Sequence, residues 1–198
     1  MTAERHHPDE SDTAEHDRHA GRYERAAYLG TEAGVAPNAV WLDMGCGYGY
    51  GTALLQREAK ANLVVGIEPD EGATLYAAGN YHNLNTMFIN ANAEEAAEWF
   101  PSRFDGVVCI EVLEHLPHDE QDGFLRNLRT VTAPGGVLVL TCPLGHGPNA
   151  DNPWHIHEPT EFELKTVLWD AGFHVERFEV DFYESTSGPA TQAVAVCR

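Results

Sequence analysis

Lysine is nearly absent from this chain: only Lys60 and Lys165 occur, and the 12 basic residues face 31 acidic ones, giving a formal net charge of −19 over 198 residues. Nucleic-acid affinity comes largely from Lys and Arg displacing phosphate counterions, so the deficit argues against a sequence-independent nucleic-acid binder. Also missing are an apolar run long enough to span a bilayer and a charged-then-apolar start resembling a signal peptide. There is no CxxC pair: Cys46, Cys109, Cys142 and Cys197 are widely separated, and three of them sit in apolar runs. They read as small core hydrophobes in a reducing compartment, and the expectation is a cytoplasmic protein without a membrane anchor.

Hydrophobic residues make up 43% of the chain, enough for one full core without disulfide staples or a second domain. Residues 1–21 hold His6, His7, His16 and His19 among charged residues and almost nothing apolar, the pattern of a flexible, solvated tail. Residues 22–198 then form a single domain. From Arg22, Tyr23, Ala26, Ala27 and Tyr28 recur at helical spacing until the break at Gly34–Pro37.

Beyond that break, apolar runs alternate with helical stretches. Strands are predicted at 39–44, 62–67, 86–90, 105–111 and 137–142, and helices at 51–60, 71–80, 93–100, about 119–132 and 160–172. Residues 133–136 (Ala-Pro-Gly-Gly) read as a stop between the fourth of these helices and the fifth strand. Strands separated by helices imply right-handed crossovers and a parallel sheet covered on both faces, a doubly wound α/β domain. The runs at 173–183 and 191–197 have no helix between them and should pair as an antiparallel hairpin.

The first strand runs directly into Gly45-Cys46-Gly47-Tyr48-Gly49-Tyr50-Gly51 and then a helix, a geometry that lets backbone approach a ligand closely. Asp43 precedes the loop, no cationic side chain follows until Arg57, and the spacing does not give GxGxxG from Gly45. The pattern therefore disfavours the pyrophosphate of a nicotinamide dinucleotide and favours a cationic ligand such as S-adenosylmethionine, whose sulfonium and ammonium suit a carboxylate. Glu68, followed by Pro69, ends the second strand where a carboxylate can accept two ribose hydroxyls. Asn92, before Ala93, ends the third strand region as either an adenine contact or a helix cap.

These segments in order, LDMGCGYGYGT, VVGIEPD, NANAEE, FDGVVCIEVLEHLP and APGGVLVLTCP, resemble the successive motifs of class I S-adenosylmethionine-dependent methyltransferases. The resemblance spans roughly residues 39–197. It implies a Rossmann-like, seven-stranded, mostly parallel sheet with an antiparallel last strand, and a cofactor held by Asp43, Gly45, Gly47, Glu68, Pro69, Asn92 and Ala93. It also implies that Tyr23 either folds over the cofactor or packs in the core. The family usually has Asp where Asn92 stands.

Two further segments carry candidate chemistry. Glu111-Val112-Leu113-Glu114-His115-Leu116-Pro117 follows the fourth strand and should line the crevice, with His115 as the natural general base and Glu114 beside it. Asn152 to Thr160 contains His155 and His157, which share a side if the chain there is extended, and Thr160 with Glu163 can open the next helix as a capping box. Catalytic candidates are therefore Glu114, His115 and His157. Glu111, Glu114, His115 and His157 could also converge on a divalent metal.

The arrangement resembles that of small-RNA 3′-terminal 2′-O-methyltransferases, which use a Glu-x-x-Glu-His segment and a later His for a metal. The scarcity of basic residues argues against an RNA acceptor. Trp154, Tyr48, Tyr50 and Tyr183 are candidate stacking walls.

The expected function is transfer of a methyl group to an oxygen or nitrogen of a small or sugar-like hydroxylated acceptor. Alternatives are a metal-dependent RNA 2′-O-methyltransferase and a non-catalytic cofactor-binding scaffold of the same fold. Oligomeric state carries no signal. Residues 91–122 hold nine acids against one base and residues 151–184 nine against two, so the acid excess predicts an acceptor pocket favouring cationic or metal-bridged groups.

Overall fold

Apolar β-branched runs such as LVVGIE and FDGVVCI bury both faces of a strand, so each needs helices on both sides. The computed structural model, which describes residues 13–145, 147–149, 152–185 and 188–198, has this arrangement. In chain order the elements are α1 (Thr13–Glu32), β1 (Val40–Met44), α2 (Tyr50–Glu58), β2 (Leu63–Glu68), α3 (Glu71–Tyr81), β3 (Thr86–Asn90), α4 (Ala93–Trp99) and β4 (Phe104–Ile110). A short 3₁₀ turn (Leu113–His115) precedes α5 (His118–Val131), β5 (Thr132–Pro143), α6 (Glu161–Asp170), β6 (Val175–Ser185) and β7 (Gly188–Cys197).

The sheet has seven strands in the order β3-β2-β1-β4-β5-β7-β6. Pairings from β3 to β5 are parallel, and β7 runs antiparallel to both β5 and β6. The doubly wound sheet with its antiparallel last strand is as expected. So is the capping box of α6, where Thr160 Oγ1 accepts from Glu163 N–H and Glu163 accepts from Thr160 N–H.

Strand alternation distributes the core over two layers. Trp41, Val108, Val137, Val139 and Val194 face α1 and α2, whereas Leu42, Met44, Val107, Leu138 and Leu140 face α4, α5 and α6. All four cysteines are buried and unpaired, as expected of core hydrophobes. No described helix is long and apolar enough to cross a membrane.

Two expectations differ from the structure. The first helix begins at Thr13 rather than near Arg22, so residues 13–21, expected in the tail, are helical; residues 1–12 of that tail lie outside the described residues. The cause is tertiary: the His19 ring, which meets Tyr23 one turn on in the same helix, also packs 5.5 Å from Tyr50 of α2, a partner that local composition does not reveal. Residues 133–136 are not a stop outside the sheet but a bulge within β5. Phe104 pairs with Thr132 and Gly106 with Val137, and Gly135 takes φ 78° to absorb the extra residues.

Trp41 is fully buried, and two glycines make room for it. A Cβ on Gly30 of α1 would lie 2.4 Å from the Trp41 ring, and one on Gly106 of β4 would lie at the same distance. Gly106→Ala is expected to destabilise the fold by about 1–3 kcal/mol through overpacking. Urea denaturation checks this, and an unchanged midpoint would show that the indole has room to shift.

Candidate active site

The glycine loop is built by backbone bonds and by left-handed glycines. Gly45 N–H and Cys46 N–H donate to Ile67 O at 2.8 and 3.1 Å, holding the loop against the end of β2. Gly45, Gly47 and Gly49 have φ of 80°, 53° and 85°, which L side chains rarely adopt. Their surroundings differ. A Cβ on Gly45 would stand 2.5 Å from Val112, and one on Gly49 2.6 Å from Ala77, whereas one on Gly47 would meet nothing within 4 Å. Gly47 is therefore where the loop faces open space.

Beside that space, Glu68 is almost fully buried and uses one carboxylate oxygen on each of two backbone donors. Its Oε2 accepts from Gly47 N–H at 3.1 Å and its Oε1 from Asp70 N–H at 3.0 Å. Pro69 is exposed next to it. Asn92 caps α4: its Oδ1 accepts from Glu95 N–H at 3.0 Å, and Glu95 accepts from Asn92 N–H at 2.9 Å. The capping reading of Asn92 is thus realised, with Ala93 buried as the first residue of the helix.

Asp43 lies beneath the loop rather than at its mouth. It is fully buried, accepting from Thr52 Oγ1 at 2.7 Å and from the Tyr23 hydroxyl at 3.3 Å. Burial pushes its carboxyl up from the ordinary 3.8 to about 7. Tyr23 is itself buried, its hydroxyl pushed well above the usual range by desolvation and by Asp43. It is a core residue that ties α1 to the loop.

The segment after β4 and the histidine-bearing loop come together as expected, but they sort the candidates differently. Glu111 adopts φ 54°, and its Oε1 accepts from Thr141 Oγ1 at 2.8 Å and from Gln192 Nε2 at 2.7 Å, with Arg22 3.6 Å from Oε2. Glu114 is fully buried, and among the described residues neither of its carboxylate oxygens has a hydrogen-bond partner. Desolvation, reinforced by Glu111, holds its carboxyl well above the usual range.

Glu114, His115 and His155 offer ligand atoms that all lie within 4.8 Å of one another. His115 Nδ1 donates to Trp154 O at 2.9 Å, and His155 Nδ1 bonds Glu158 Oε1 at 2.5 Å. In a neutral tautomer, an Nδ1–H used in this way puts the ring's lone pair on Nε2.

His157 belongs to a different group. It lies with His118 and Glu163, its ring centroid 4.5 Å from that of His118, and burial lowers its pKa. The expected set of Glu111, Glu114, His115 and His157 is therefore not assembled, and His155 takes the place assigned to His157. The reason is local: residues 152–155 form a turn, with His155 N–H donating to Asn152 O at 3.0 Å and Trp154 N–H to Asn152 Oδ1 at 3.1 Å, so the extended alternation fails.

Gln121, absent from the sequence expectations, joins the two segments. Its buried Nε2 reaches Leu113 O, Leu116 O and His157 O at 3.0, 3.3 and 3.1 Å. An isolated Gln in an amphipathic helix gives no sequence signal of that role. Of the proposed stacking walls, Tyr183 lines a cavity with Arg22 over its ring, and Tyr48 packs edge-on against Tyr76.

The glycine loop at the end of β1 and the buried carboxylate at the end of β2 meet at the switch of strand order, the place where open α/β sheets bind their ligands. Residues 18–177 match the family described as Methyltransferase domain. A protein of Mycolicibacterium smegmatis named "Probable S-adenosylmethionine-dependent methyltransferase" is 30% identical over 164 residues, covering 80% of this chain and 59% of that protein. The ubiquinone biosynthesis O-methyltransferase of Pseudomonas aeruginosa is 34% identical over 122 residues, 59% of this chain and 49% of that protein.

Among solved structures, magnesium protoporphyrin IX methyltransferase from Synechocystis, with S-adenosylmethionine bound, shares the fold at a TM-score of 0.69 and 20% identity, covering 96% of this chain and 86% of that one. The chain belongs to the class I S-adenosylmethionine-dependent methyltransferase family. It spans about half to three fifths of the length of these curated relatives.

The raised pKa of Asp43 has a stability consequence. In the folded state the group holds its proton to about pH 7, whereas unfolded it releases it near 3.8, so its contribution is full below pH 4 and declines as pH rises through 7. Between pH 4.5 and 7.5, Asp43→Asn should show a smaller loss of stability than the parent chain in urea titrations. Parallel curves for the two proteins would remove Asp43 as the source.

Proposed function

We propose that the chain transfers the methyl group of S-adenosylmethionine to an oxygen or nitrogen of a small hydroxylated acceptor. The open space over Gly47, beside the carboxylate of Glu68, carries this reading, because it lets a ligand meet the loop backbone next to an acceptor group of the kind that suits ribose hydroxyls. Gly45, Gly47, Glu68 and Pro69 would hold the nucleoside and Asn92 with Ala93 the base side, while Asp43 fixes the loop from below with Tyr23 and Thr52. When bound, S-adenosylmethionine supplies an electrophilic methyl group on a sulfonium. Positioning of an acceptor against it accounts for most of the expected rate.

Glu114, His115 and His155 form the wall that would face the acceptor. With its Nδ1–H held by Trp154 O, His115 presents the nitrogen able to take a proton from an acceptor hydroxyl. The same three side chains also suit a divalent cation: two imidazoles oriented through Nδ1, and a buried carboxylate whose oxygens have no hydrogen-bond partner among the described residues. A cation there would acidify a coordinated hydroxyl. His157 supports this wall through its backbone, its N–H donating to Glu114 O at 3.1 Å, while its ring lies with His118 and Glu163.

Calorimetric titration with S-adenosylhomocysteine tests the cofactor half; no detectable binding would sink it. Gly47→Val should weaken that binding at least about a hundredfold, equivalent to about 2.8 kcal/mol, with the circular dichroism spectrum unchanged.

His115→Ala should lower turnover by about a hundredfold, the scale of one positioned acid–base group, while leaving S-adenosylhomocysteine affinity within about twofold. Unchanged turnover would remove His115 from the chemistry. For the cation, Mn²⁺ titration of the parent chain should show one site that His155→Ala weakens; equal Mn²⁺ binding by the two would exclude it.

A further inference from the structure

The loop that brings His155 to Glu114 and His115 sends its next histidine elsewhere. His118 at the start of α5, His157, and Glu163 in the first turn of α6 each offer a ligand atom, and these atoms all lie within 4.8 Å of one another. The cluster shares no residue with Glu114, His115 and His155. It joins three separate pieces of chain: the start of one helix, the histidine-bearing loop and the start of the next helix.

Two of these side chains have an atom to offer. Nε2 of His157 is buried and has no hydrogen-bond partner among the described residues. A buried nitrogen in that state is unfavourable, and a cation bound to it removes the cost. Glu163 meets its capping role through Oε2, which accepts from Thr160 N–H at 2.7 Å, so Oε1 is not spent on the cap. The His118 ring completes the group, its centroid 4.5 Å from that of His157.

The surrounding charge favours a cation. The N-termini of α5 and α6 each carry about half a positive charge, which opposes one. Against them stand Glu163 itself and Asp119 and Glu120 in the first turn of α5, while Glu161 is taken up by Lys165. Three carboxylates outweigh two half-charges.

Donor type selects the ion. Two imidazoles and a carboxylate suit Zn²⁺, with a fourth position left for water, whereas Mg²⁺ and Ca²⁺ prefer oxygen ligands throughout. Mn²⁺ stands lowest in the order of divalent affinities at such sites.

The backbone of His157 gives a bound ion its effect. Its N–H donates to Glu114 O at 3.1 Å, and its carbonyl accepts from Gln121 Nε2 at 3.1 Å. An ion on the ring would fasten the residue whose main chain braces Glu114, two positions from His155. We propose that His118, His157 and Glu163 bind a Zn²⁺-class divalent cation, distinct from any held by Glu114, His115 and His155, which fastens the histidine loop to the starts of α5 and α6. The inference does not rest on the methyl-transfer reading.

The test is calorimetric Zn²⁺ titration of the full chain and of His155→Ala, in which the other cluster has lost a ligand. In both, His118→Ala or Glu163→Gln should weaken one site at least about tenfold. Glu163→Gln retains the capping box, since Gln serves at that position as Glu does, and His118 is exposed, so neither substitution should disturb folding. In the His155→Ala chain, Mn²⁺ should bind this site at least about tenfold more weakly than Zn²⁺. Saturating Zn²⁺ should slow amide hydrogen exchange at residues 155–158 at least about fivefold, and should not do so once His118→Ala is added.

Absence from both chains of a Zn²⁺ site sensitive to His118→Ala and Glu163→Gln would overturn the proposal, and so would Zn²⁺ binding unchanged by both substitutions, the result if His6, His7 or another outlying histidine held the ion. Mn²⁺ as tight as Zn²⁺, or exchange unaltered at saturating Zn²⁺, would also overturn it.

Discussion

The buried carboxylate of Asp43 is the point on which the crevice depends. One of its oxygens holds the Thr52 hydroxyl at the start of α2 and the other holds the Tyr23 hydroxyl from α1, so a single side chain at the end of β1 fixes two helices and the loop between them. Burying such a group is unfavourable unless it is hydrogen-bonded, and its elevated pKa records that conflict. A rigid underside leaves the upper surface of the loop, at Gly47, open to a ligand.

Glu111 plays the matching part at the end of β4. Its left-handed backbone is a strained conformation for a side-chain-bearing residue, of the order of 1–3 kcal/mol. Bonds from Thr141 and Gln192, with Arg22 nearby, hold it there. The turn directs the chain into Val112, packed against Gly45, and then into the buried Glu114. Strain at one residue thereby links the glycine loop and the histidine wall.

Much of this was legible because it is local. A strand–glycine–helix sequence demands a close-approach loop, apolar runs of five to seven residues punctuated by helices demand a covered parallel sheet, and Thr160 with Glu163 demands a capped helix start. Asn92 was legible only as two options, since a residue at a strand end and helix start suits either a cap or a ligand contact.

What could not be read rests on bonds that residue types alone do not announce, one long-range and one local. The extension of α1 to Thr13 depends on Tyr50 reaching His19 from another helix, and the turn at 152–155, which moves His157 away and brings His155 in, depends on Asn152 bonding its own neighbours.

Sequence alone determined the doubly wound fold, the place of the glycine loop and the family, because spacing along the chain encodes periodicity and backbone freedom. Tertiary structure alone decided which histidine joins Glu114 and His115, that Asp43 supports the loop from below, and that His157 lies instead with His118 and Glu163. Those outcomes depend on which surfaces the packed elements bring face to face, and burial and charge act between residues that the chain itself keeps far apart.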